Sequence, residues 1–140
     1  MFDKTVETRP SQRVIDQRIR NRIMEAVNTL ADGDDGVRQV WPDEYFEGFY
    51  DFIPHNNNGT FPVNSALLEE ERRLLAKVSA LLDAACDETP NVMTADELIA
   101  TGWPERIKPI ARNALNFMVS RGRFSEDVEE EEPSVKGPWP

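Results

Sequence analysis

The stretch "SALLEEERRLLAKVSALLDAAC", Ser65 to Cys86, limits the fold more than any other part of the chain. Placed at 100° per residue, Leu67, Leu68, Leu74, Leu75, Val78, Leu81, Leu82 and Ala85 gather on one side, with charged side chains on the other. Most of a helix's stability in a protein comes from packing its amphipathic face, so a helix with so wide an apolar stripe must lie against other elements. The pattern therefore predicts a helix near residues 65–87, capped by Asn64 or Ser65 and central to its domain. Leu67, Leu74 and Leu81 also fit a coiled-coil seam, but too few heptads follow to sustain one.

Four further stretches share this periodicity. In "RPSQRVIDQRIRNRIMEAVNTLADGDDG", Ser11 is placed to cap a helix whose apolar face holds Ile15, Ile19, Ile23, Ala26, Val27 and Leu30. Its other faces carry Arg13, Arg18, Arg20 and Arg22, and "DGDDG" ends it. In "WPDEYFEGFYDFIPH", Pro42 suits a first helical turn, Asp43 and Glu44 complement the N-terminal dipole, and Pro54 stops the helix. Tyr45, Phe46, Phe49, Tyr50, Phe52 and Ile53 form one arc, while Asp43, Glu44, Glu47 and Asp51 form the opposite one.

Thr94 and Glu97 have capping-box spacing for a short helix ending at Gly102. "WPERIKPIARNALNFMVSRGRF" then places Ile107, Ile110, Ala111, Ala114, Leu115 and Met118 on one face of a final helix. Period-two alternation is too short anywhere to argue a sheet. The expected fold is all-α: a compact bundle of about five helices.

A chain of 140 residues suits a single domain. Residues 10–124 contain every periodic segment, which leaves 1–9 as a flexible arm and 125–140, "SEDVEEEEPSVKGPWP", as a disordered acidic tail. Trp41 and Trp103 are expected to anchor loop ends in the core, and Trp139 to be an exposed anchor on the tail. No apolar run reaches the length of a membrane span, and no secretory h-region follows the N-terminal charges. Cytoplasmic location is the corresponding expectation.

The 26 acidic residues against 16 basic ones give a net charge of −10, which opposes long-range attraction to nucleic acid or anionic membrane and favours a basic protein partner. Chemistry is sparsely signalled. One histidine, His55, falls in a turn, and one cysteine, Cys86, ends the leucine-rich helix, so a nucleophile and base would have to meet by tertiary packing. Asp43, Glu47, Asp51 and His55 continue a four-residue spacing, but Pro54 interrupts the helix before the histidine. Asp32, Asp34 and Asp43 stand at the first, third and twelfth positions of a calcium loop, yet Gly36 is fifth rather than sixth and the terminal glutamate is missing. Neither pattern supports a metal, and no cofactor is implied.

Residues 93–124 resemble a helix-turn-helix, with a short capped helix, a glycine turn and a longer helix. That resemblance implies a DNA-binding regulator in which Arg112, Asn113 and Asn116 meet base edges while Arg106, Lys108, Arg121 and Arg123 meet phosphates. The overall charge opposes it. The reading favoured by charge is a non-enzymatic interaction module, of inhibitor, adaptor or immunity type, that shows carboxylates to a basic partner protein. Asp34, Asp35, Asp43, Glu44, Glu47 and Asp51 are its expected contacts.

Overall fold

A computed structural model describes residues 9–92 and 94–136. Five helices account for its regular structure: α1 Gln12–Ala31, α2 Asp34–Tyr50, α3 Glu69–Glu88, α4 Ala95–Ala100 and α5 Trp103–Arg121. Among the described residues there is no strand, only an isolated antiparallel bridge between Arg123 and Val135. The all-α bundle expected from the periodicity is therefore the fold. No described helix is long and apolar enough to cross a membrane.

Local sequence sets most of the boundaries. The Ser11 side chain accepts from the Val14 N–H and opens α1. Gly36 lets α2 start hard against the end of α1, since a β-carbon there would lie 2.0 Å from the Thr29 carbonyl oxygen. Thr94 and Glu97 close the anticipated capping box on α4, and Gly102, with φ at 82°, turns the chain into α5. Pro109 sits inside α5 without ending it.

Two boundaries depart from expectation. α3 begins at Glu69 because Asn64 and Ser65 are used elsewhere: the Asn64 side chain accepts from the Ala66 N–H, and the Ser65 hydroxyl donates to Asp16. α2 begins at Asp34 rather than at Pro42, and bends at Trp41, where φ is 71° and ψ 161°. Proline disfavours helical geometry in the residue before it, and before Pro42 that bias is expressed as the bend at Trp41, whereas Lys108 before Pro109 stays helical.

The packing places α5 against α1, α3, α4 and α2, whereas α3 meets mainly α5. The long third helix supplies a broad apolar wall, as expected, but α5 is the element that touches all the others. Met24, Val27, Leu30, Tyr45, Phe49, Leu75, Val78, Leu82, Ile107 and Met118 are buried between them.

The core also contains a charged cluster. Arg20 and Glu71 are both fully buried, with Arg20 Nη2 2.6 Å from Glu71 Oε2. Arg121 Nη1 donates to Glu71 Oε1 at 2.7 Å, and the Leu68 N–H donates to the same oxygen at 2.9 Å. Arg20 spends its remaining donors on the carbonyls of Gly122 and Met118. An ion pair taken out of water survives only when its lone pairs and protons are met in this way. Burial pulls the Arg20 guanidinium below its usual range, and the Glu71 hydrogen bond opposes that shift.

Arg20 was expected on a solvent face of α1. It is covered because Glu71 of α3, the end of α5 and the Phe124 ring close over it, and the chain then runs on along α1 through residues 125–131. Asn21 donates its amide to the Phe124 carbonyl at 2.9 Å and accepts the Phe124 N–H at 3.2 Å. Gln17 donates to the carbonyls of Ser125 and Val128 and accepts the Glu130 N–H. Arg13 and Arg18 add bonds to the carbonyls of Glu130 and Glu126. Side-chain amides thus stand in for a neighbouring strand, satisfying an extended backbone that would otherwise be left in water.

The disordered tail expected from Ser125 is accordingly not found over residues 125–136. This stretch has little regular structure but is strapped to α1. Residues 137–140, with Trp139, and residues 1–8 of the expected arm lie outside the described residues.

Candidate functional site

Beyond the bend, α2 divides as its sequence does. Tyr45, Phe49 and Ile53 are buried, Phe46, Tyr50 and Phe52 are half-buried, and Asp43, Glu44, Glu47 and Asp51 are exposed. Some other surface acids are drawn into ion pairs, Glu25 with Arg22 and Arg123, Glu70 with Arg73, Asp96 with Arg38, and Glu132 with Arg121, while Glu69, Asp127, Glu129 and Glu131 are exposed without one among the described residues. Asp43, Glu44, Glu47 and Asp51 hold no ion pair among the described residues. Four carboxylates without an ion pair, within nine residues of α2 and its C-cap, concentrate negative potential on that face.

Asp34 and Asp35 contribute unequally. Asp35 is exposed. Asp34 sits in the first turn of α2, where its N–H donates to Glu105 Oε2 at 3.0 Å and its own Oδ1 is buried without a partner. Burial, and then the Glu105 charge, push its carboxyl above the usual range. It belongs to the α2–α5 junction rather than to the open acidic face.

Trp41 corrects the expectation for the indoles. Trp103 is buried, with its Nε1–H donated to Glu88, but Trp41 is 65% exposed. It is also strained: a positive φ brings the β-carbon of an L residue against its own backbone, at a cost of about 1–3 kcal/mol. Trp41→Gly is therefore expected to stabilise the fold by about 1 kcal/mol, the relief exceeding the entropy cost of glycine. Urea unfolding checks this, and a loss of stability would mean that the indole packs more firmly than its exposure implies.

Two clefts flank the acidic arc. One, of about 190 Å³, runs along α1 and includes Arg22, Glu25, Glu44 and Asp51. The other, of about 350 Å³, opens between α2, the loop after it and the end of α3. His55, set aside as a ligand because of Pro54, lines this second cleft together with Cys86. The cause is a set of clasps from α3: His55 Nε2 lies 2.9 Å from Asp87 Oδ1, the Tyr50 hydroxyl donates to Asp83 at 2.7 Å, and the Asn56 N–H donates to Asp83 as well.

Bringing the only histidine and cysteine to one cleft does not activate the thiol. Burial, then Asp87 and Asp83, push the Cys86 thiol up, opposite to what a nucleophilic thiolate needs. The candidate metal rows are not assembled: Asp32 caps α1, Asp34 opens α2 and Asp43 lies beyond the bend. Among the described residues no group of three or more His, Cys, Asp or Glu side chains is placed to hold a metal ion.

No family model, curated protein or solved structure matches this chain.

The residues expected to read DNA are mostly engaged within the molecule. The Arg106 guanidinium lies 3.8 Å from the centre of the Trp103 ring, Lys108 is 3.9 Å from Glu105, and Arg112 donates to the Ala31 carbonyl at 2.6 Å. Arg121 serves Glu71 and Glu132, and Arg123 serves Glu25. Asn113 and Asn116 are exposed. The helix pair anticipated at 93–124 exists as α4 and α5, with α5 packed between α1 and α3. Sequence reading missed Trp41's exposure and the His55 clasp; the Trp-Pro pair was the available signal for a bend.

Proposed function

We propose that this chain is a non-enzymatic protein-interaction module that presents the outer face of α2 to a basic partner protein. The observation that carries this reading is the concentration of unpaired acids on one face of α2. Some surface carboxylates pair with arginines and others, such as Glu69 and Asp127, stand singly, whereas Asp43, Glu44, Glu47 and Asp51 hold no ion pair among the described residues and stand together beside an exposed tryptophan. Unpaired charge of one sign accelerates encounter with the opposite sign, and a tryptophan at the edge supplies the apolar contact that typically holds such complexes together. Asp35, nearly two turns before the bend, extends the same field. An inhibitor, adaptor or immunity-type protein acting on a basic target fits this surface. Cytoplasmic location accords with that role.

The test begins with capture of the partner from the native cell, using the full chain as bait. A variant with Asp43→Lys, Glu44→Lys, Glu47→Lys and Asp51→Lys is expected to fold normally, because exposed unpaired side chains contribute little to stability. Its affinity should fall by about 100-fold or more at low salt, and the salt dependence should flatten. Equal capture by both forms at low and high salt would remove this face from the interaction.

A further inference from the structure

The cleft between α2 and the end of α3 has a chemistry that the acidic face alone does not have. Phe46 and Tyr50 provide aromatic surface on the α2 side, and Asp43 and Glu47, one helical turn apart on that same helix, supply carboxylates that have no ion pair or hydrogen-bond partner among the described residues. None of the residues lining the cleft is lysine or arginine. The one side chain there able to become positive is His55, and it is held to Asp87. Asp83, behind the aromatic wall, is also committed, accepting from Tyr50 and from the Asn56 N–H. The wall is thereby fixed from α3.

An anionic ligand would be repelled by this lining, and a neutral apolar one would strip water from the carboxylates without replacing it. A cation on an alkyl stem satisfies both parts of the cleft, with the stem against the rings and prolines and the head between the acids. At about 350 Å³ the cleft is near the lower limit for organic ligands, room for one long side chain rather than for a nucleotide. We propose that it is the receptor for a single arginine or lysine side chain of the basic partner. This deepens the docking reading and rests on it.

The test uses the full chain and three small probes: acetyl-arginine amide, acetyl-lysine amide carrying a free ε-amine, and the neutral isostere acetyl-citrulline amide. Titration followed by NMR is expected to shift the His55, Tyr50 and Phe46 ring signals with the two cations, at millimolar concentration, and not with citrulline. Glu47→Gln should weaken cation binding at least fivefold, and Phe46→Ala should weaken it further. Because Phe46 is half-buried, Glu47→Gln is the deciding variant; its side chain is exposed. Equal shifts with citrulline, or cation binding indifferent to Glu47→Gln, overturn the proposal. If the captured partner is sensitive to Glu44→Lys and Asp51→Lys but not to Glu47→Gln or Phe46→Ala, the docking face stands and the cleft fails. Insensitivity to all four changes sinks both.

Discussion

Glu71→Gln is expected to cost this fold about 3–5 kcal/mol, enough to leave it partly unfolded at room temperature. The two side chains are nearly the same size, so packing barely changes. What changes is charge: Arg20, fully buried, and Arg121, 11% exposed, would face each other with no anion between them. The amide also replaces an acceptor oxygen with a donor, although Glu71 now accepts from both guanidiniums and from the Leu68 N–H. Such a reversal leaves buried donors opposed to donors, which is the expensive way to break a polar cluster. Removing the pair together tells a different story. Arg20→Met with Glu71→Leu should recover part of the loss, because the apolar pair needs no counter-charge and Arg121 can still reach Glu132, while the Leu68 N–H and the Gly122 carbonyl lose their partners. Urea unfolding of the single and double variants gives the comparison. A double variant no more stable than Glu71→Gln would show that the cluster does more than cancel its own desolvation.

That cluster marks the boundary of what the sequence discloses. The stripes of α3 and α5 and the two arcs of α2 follow from spacing alone, because side chains 100° apart on a helix segregate by polarity whatever their neighbours do. The open acidic face at Asp43, Glu44, Glu47 and Asp51 was legible for the same reason. Periodicity assigns every arginine and glutamate to water, so it placed Arg20 outside and had no means to seat Glu71 against it. The strap was hidden by a related rule. "SEDVEEEEPSV" has the composition of a disordered segment, and its attachment to α1 uses backbone carbonyls and N–H groups, which carry no compositional signature. The meeting of His55 with Asp87, and of Cys86 with the same cleft, depends on how the loop after α2 folds back on α3. Long-range contacts of this kind are invisible to a helical wheel.

The strap also decides how the C-terminal region responds to mutation, and its anchor is Phe124. This residue is 2% exposed, and the guanidiniums of Arg13, Arg20 and Arg121 lie 5.1, 5.3 and 5.6 Å from the centre of its ring. Three cations gathered around one aromatic ring repel one another, a cost that the ring offsets together with Glu71 and Glu132. Phe124→Ala is therefore expected to cost about 3–5 kcal/mol: the transfer and cavity terms of a buried aromatic, together with the cation–π contacts. Truncation after Phe124 keeps the ring and removes the hydrogen bonds from Arg13, Gln17 and Arg18 to the segment beyond it. Each such bond contributes roughly 1 kcal/mol net, and partly exposed ones less, so the truncated chain should lose about 1–3 kcal/mol and remain folded. The ordering is the informative result, since a loosely attached tail would make both changes nearly silent. Thermal and urea unfolding of the two variants read it directly. If truncation after Phe124 proves as costly as Phe124→Ala, the amides of Gln17 and the guanidinium of Arg13, rather than the aromatic anchor, hold the strap to α1.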